Sequence, residues 1–214
     1  RRRGGKDPLA QSFTVDESGA FLTSVDLFFS SKDENEKVFV EIREVELGTP
    51  TNRVMADGQA RAVLYPSDIT VSTDASVATN VKFPSPVYLQ AGREYALVLL
   101  APTTNNYEVW IAQMGERTIN GQNLPDAEAV MVTRQYIGGS LFKSQNGTIW
   151  TASQFEDMKF KLYKANFIPT AGTAFFYNPS LEATNENLPK LQPDAIKIYP
   201  RKIDVGITSS TLST

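Results

Sequence analysis

The side chains with most scope for chemistry in this sequence are carboxylates. Asp33-Glu34-Asn35-Glu36 sets four oxygen-bearing side chains in a row, the hard ligands that calcium takes. A calcium loop of the EF-hand kind needs Gly at its sixth position, and counted from Asp33 that position is Val38, so a solvated loop fits better. Glycoside hydrolysis needs two opposed carboxylates, and Glu41 with Glu44 or Glu156 with Asp157 are the pairs to nominate. Exposed strand faces and loop ends account for all four equally well. The 214 residues contain no His and no Cys, which removes Ser-His-Asp and Cys-His machinery, thiolate nucleophiles, and zinc, haem or iron-sulfur ligation of the usual kinds. No constellation remains for an enzyme. Neither a cofactor nor a metal is expected, and disulfides cannot hold the fold.

A second kind of chemistry is stacking on a sugar ring, which suits a flat apolar face with a polar handle. Trp110, Trp150, Tyr107 and Tyr136 are the candidates for glycan contact, and Tyr163 could extend the platform. Packing within strands is the competing reading and the stronger one, because a Trp in a sandwich strand usually belongs to the core. Asn146-Gly147-Thr148 fits a glycosylation acceptor, but Asn-Gly is also the favoured hairpin turn, and the turn is preferred.

Charge points away from nucleic acid. Lys plus Arg number 21 against 24 Asp plus Glu, a formal net charge of −3, so no basic surplus exists to release counterions. The strongest apolar run, residues 95–101, is far short of the roughly 20 residues of a membrane-spanning helix, so membrane insertion is not expected. Arg1-Arg2-Arg3 lacks the apolar stretch of a secretory signal. A chain opening on Arg rather than Met is read as a fragment or processed product, and residues 1–10 as a linker.

The elements that must position these groups are strands. In residues 20–30, Phe21, Thr23, Val25, Leu27 and Phe29 share one face, with Ser24, Asp26 and Ser30 on the other; Leu22 and Phe28 blur the alternation. Val38, Val40 and Ile42 alternate with Phe39, Glu41 and Arg43, and the polar residues 31–36 predict a hairpin that pairs the two strands. Val81 and Phe83 begin another strand, interrupted by Pro84-Ser85-Pro86 before Val87-Tyr88-Leu89. After a turn at residues 90–93, the nearly continuous apolar run from 94 to 101 predicts a central strand covered on both faces. Tyr107, Val109 and Ile111 predict one more strand, and Met158, Phe160 and Leu162 another. Only residues 126–132 suit a short helix, and residues 115–140 are long enough to be a surface excursion.

Short strands separated by turn signals predict an all-β fold, an antiparallel β-sandwich of jelly-roll-like form over residues 11–167. Composition then changes. Residues 168–214 hold five of the twelve prolines and predict an extended connector or arm, with Phe175, Phe176, Tyr177, Ile196 and Ile198 needing a partner to bury them.

Several segments, taken in order, resemble a known module. Gln11-Ser12-Phe13-Thr14-Val15, residues 19–29, residues 38–43 and residues 85–99 are similar to a jelly-roll sandwich found as a repeated non-catalytic unit in secreted and virion proteins. Residues 138–151 and 155–163 resemble its closing strands. More narrowly, residues 7–13 with 140–150 resemble large virion structural proteins of contractile-tailed bacteriophages, of the baseplate or tail-appendage type. The resemblance implies a structural component of a virion, in contact with other virion proteins or copies of itself, and no catalytic residues. Contact with a host surface glycan is the alternative role.

Overall fold

The alternation at residues 38–43 becomes β5 (Val38–Glu46), with Val38, Val40 and Ile42 buried against the core and Glu41 and Arg43 on the opposite face. The structure, a computed structural model, describes residues 2–4, 7–119 and 130–167. Around β5 lies one layer of a β-sandwich, in the order β12 (Trp150–Ser153), β11 (Leu141–Ser144), β2 (Leu9–Thr14), β9 (Glu94–Leu100), β5 and β6 (Thr49–Val54), with β7 (Arg61–Leu64) also on β5. The apolar run thus forms a central strand, as its two-sided hydrophobicity predicts: Tyr95, Leu97 and Leu99 face the core, Ala96 and Val98 the other side, and all five are buried.

The facing layer contains β14 (Phe160–Lys164), β3 (Ala20–Leu27) and β8 (Thr79–Leu89) in that order. It continues through β4 (Phe29–Ser31) and β13 (Glu156–Met158) onto β10 (Glu108–Gln113). Every strand pair among the described residues is antiparallel, and the chain passes between layers at most connections, which is jelly-roll-like. Both layers contribute to one core cluster, from Phe13, Ile42 and Leu97 on one side to Val25, Leu27 and Phe29 on the other. Burying each such side chain is worth about 2 kcal/mol.

β3 and β14 pair up to Leu27 and Phe160 and then part. β4 lies along the first part of β10 and β13 along the last, both antiparallel to it, and Trp110 serves both: its backbone N–H donates to the Phe28 carbonyl at 2.9 Å, and its carbonyl accepts from Lys159 N–H at 2.9 Å. The N–H and C=O of one strand residue point to the same side, so β4 and β13 share one edge of β10. On the other edge lies β1 (Arg2–Gly4).

Several expectations need correction. Residues 1–10 are not simply a linker, because Arg2–Gly4 pairs with β10 and Leu9 and Ala10 begin β2. The strands at 20–30 and 38–42 do not pair. They lie in opposite layers, and the polar loop between them crosses the end of the sandwich, tied down by Asp33. Leu22, not Phe21, faces the core beside Val25. The pairing shifts between Leu22 and Ser24, where residues 83–86 of β8 bulge opposite Thr23, so the inside-outside phase changes there. The two prolines of that bulge sit where no ladder N–H is required. Of residues 126–132, the last three are extended rather than helical: Val130 and Val132 are hydrogen-bonded to Thr118 and Glu116 and Met131 bridges to Arg117, while residues 126–129 lie outside the described residues. Residues 1–165 form one compact unit. The predicted connector, with Phe175, Phe176, Tyr177, Ile196 and Ile198, lies outside the described residues.

Candidate functional site

At one end of the sandwich, the β11–β12 hairpin stands opposite β4 and β10 and leaves a cleft of about 470 Å³ between the layers. That is the size of a small-molecule pocket. Phe29, Val38, Leu99 and Val109 make its apolar floor, and Tyr107 stands in the wall. Tyr107 is held firmly. Its hydroxyl donates to the Glu36 carbonyl, and its ring meets Phe29 edge-on at 6.1 Å. Burial, with Asp33 and Glu36 nearby, pushes the phenol above its ordinary pKa of 10.0.

The rim comes from Asp7, Gln145, Asn146, Ile149 and Thr151. The hairpin turn is built by its own side chains: Ser144 Oγ accepts from Gly147 N–H, and Asn146 Oδ1 accepts from Thr148 and Ile149 N–H, both at 2.9 Å. Gly147 has φ +75°, a conformation that favours glycine. Arg43 reaches the same loop from β5, its Nη1 donating to the Gly147 carbonyl at 3.1 Å. Arg43 is itself fixed by Glu41, with Nε and Nη2 at 2.8 and 2.7 Å from Oε2. Arg61 Nε lies 3.2 Å from the other oxygen of Glu41. Glu41 and Arg43 are both buried. One rim of the cleft is therefore anchored to the outer face of the central sheet.

A second polar group joins the layers beneath the hairpin. Lys143 Nζ pairs with the buried Glu156, which also accepts from Ser153 Oγ at 2.6 Å. Next to it, Gln11 is fully buried and works along the edge of β13: Oε1 accepts from Met158 N–H at 2.8 Å, and Nε2 donates to Asp157 Oδ1 at 3.1 Å. Burial raises the Asp157 pKa above 3.8, against the hydrogen bond from Gln11 that lowers it. Glu156 and Asp157 are neighbours on a strand and point to opposite sides, so they do not face one another across a cleft.

The four aromatic candidates do not form one platform. Trp110 is 7% exposed, donates from Nε1 to the Ser72 carbonyl at 2.9 Å, and borders a different cleft of about 390 Å³ with Asp74, Arg117 and Lys159. Trp150 packs on the outer sheet face with Ala10, Ala96, Val98 and Phe142, its N–H without an acceptor among the described residues. Tyr136 is more exposed and packs edge-on against Phe160 at 5.7 Å, and Tyr163 donates to Asp26. Of the four nominated for glycan contact, only Tyr107 lines the larger cleft.

Asp33 is a tether for the loop that crosses the sandwich. Its carboxylate accepts from Thr104 Oγ1, Asn106 Nδ2 and the N–H groups of Asn35 and Glu36, which hold its pKa well below the carboxylate range. Among the described residues no group of three or more acidic side chains is arranged to hold a metal ion. Asp7, Gln145 and Thr151 escaped sequence-based selection because they meet only when the hairpin folds over the sheet end. The Asn-Gly turn beside Gln145 was the one signal near them.

No protein-family model matches this chain, and no curated protein matches it in sequence.

Proposed function

We propose that the chain is a structural module of a tailed-phage virion, in the baseplate, tail or an appendage, and that it acts through protein-protein contacts. The ordered resemblance over residues 7–167 supports the virion setting. The observation that carries the contact reading is the outer edge of β10, which takes up the extended segment Arg2–Gly4 in antiparallel register. An edge that accepts one short strand by main-chain bonds has the chemistry to accept an extended segment of a neighbour. Unlike that edge, the outer edges of β8 and β14 carry no paired strand among the described residues.

An image reconstruction of the assembled particle tests this. The expected result is the sandwich within the tail or baseplate, with a sheet edge against another subunit. Absence of the chain from purified particles, or its presence with every edge facing solvent, overturns the reading.

A further inference from the structure

We propose that the cleft between the β11–β12 hairpin and β10 is a binding site for a neutral saccharide of one or two pyranose rings. This goes beyond the virion reading and does not rest on it.

Size comes first. A volume of about 470 Å³ accommodates a ring or two but no folded segment. The floor of Phe29, Val38, Leu99 and Val109 gives an apolar bed for the C–H face of a sugar ring, and Tyr107 is locked in the wall.

The rim supplies the rest. Asp7, Gln145 and Thr151 are exposed, and their side chains have no hydrogen-bond partner among the described residues. Asn146 spends Oδ1 on its own turn, leaving Nδ2 as a donor. Together they offer a carboxylate, two carboxamides and a hydroxyl, able to accept from and donate to neighbouring hydroxyl groups. The electrostatics of the described lining select against anions: Lys143, the one cation among those residues, is engaged by Glu156, while Asp7 has no ion-pair partner among the described residues. The rim is also held in place, by Arg43 on Gly147 and by the Asn146 turn, so little ordering is required on binding.

The test follows backbone amide shifts of the whole ¹⁵N-labelled chain during titration with methyl α-glucopyranoside, methyl β-galactopyranoside or N-acetylglucosamine, each to about 50 mM, a range suited to weak monosaccharide sites. Parallel arms use glucuronate and a phenylalanine-containing peptide. The expected result is a saturable shift of Asp7, Leu9, Gln145 and Thr151 with at least one neutral sugar. Gln145→Ala combined with Thr151→Val should weaken it about 10-fold or more while leaving the melting temperature unchanged, since neither side chain bonds to the fold. Absence of saturable shifts, shifts that persist at full affinity in the double variant, glucuronate binding as tightly as the neutral sugars, or a response to the peptide alone each overturns the assignment.

Discussion

Replacing Arg43 with Met probes the anchor of the cleft rim and the polar face of the central sheet together. In the folded protein the Glu41 side chain is 6% exposed and that of Arg43 9%, so neither can be rehydrated without opening the structure. Arg43→Met removes two charge-assisted hydrogen bonds from one carboxylate oxygen and one from the Gly147 carbonyl. Removing one partner of a buried pair costs about 3–5 kcal/mol. Arg61 stays within reach of the other oxygen, which places the expectation at the lower end, about 3 kcal/mol. For a domain of this size that is a fall in melting temperature of about 6–12 °C. Arg61→Met should cost under about 1 kcal/mol, because that side chain is 45% exposed and contributes mainly a screened ion pair and a cation-π contact with Phe39. The double change Glu41→Leu with Arg43→Met removes both charges at once and should recover most of the loss. Urea denaturation of the four proteins, read at constant slope, provides the comparison. Equal costs for Arg43→Met and Arg61→Met, or a double variant less stable than Arg43→Met, would refute the reasoning.

Gln11→Leu should lower stability by about 2 kcal/mol, measured by thermal unfolding, because Met158 N–H and the Asp157 carboxyl lose their buried partner. Gly139→Ala should cost about 3 kcal/mol or prevent folding, since a Cβ there falls 1.8 Å from the Ser12 carbonyl oxygen. Gly147→Ala meets only ordinary contacts and should cost about 1 kcal/mol for its positive φ; equal effects at the two glycines would contradict this account. The pH dependence separates two aspartates. Asp33 is depressed in the folded state, so its contribution is present above 3.8 and is lost as pH falls below it; the stability gap between wild type and Asp33→Asn should narrow on that side. Asp157 is raised, so the folded state keeps its proton longer and stability drains as pH climbs above 3.8 towards the folded value; Asp157→Asn should flatten that decline in a pH series of unfolding curves.

Strand existence was largely legible because two-fold alternation records which face is buried. Val38, Val40 and Ile42 are visible in the letters, as is the two-sided burial of residues 94–100. Pairing was not legible, since residues 31–36 suit a hairpin and a layer crossing equally well, and what decides is Asp33 reaching Thr104 and Asn106 far along the chain. The phase at Phe21 and Leu22 depended on a bulge in a different strand, which no local pattern encodes. β6 carries too few apolar residues and β7, at four residues, is too short for either to announce itself, and both pair with β5. At the cleft, Tyr107 was visible as a tyrosine beside a strand, whereas Asp7, Gln145 and Thr151 are ordinary surface letters that acquire meaning only from position.

The shared bonding of Trp110 also constrains the order in which this protein can be made. Its N–H and carbonyl wait for Phe28 and Lys159, which come from opposite ends of the sandwich sequence. A ribosome therefore releases β10 long before the strand that completes its edge exists. Until residue 159 emerges, half of that edge is open to any extended peptide nearby. Contacts so distant along the chain make for slow closure, on the millisecond-to-second scale of sandwiches, and truncation before Lys159 should yield aggregates rather than a smaller domain.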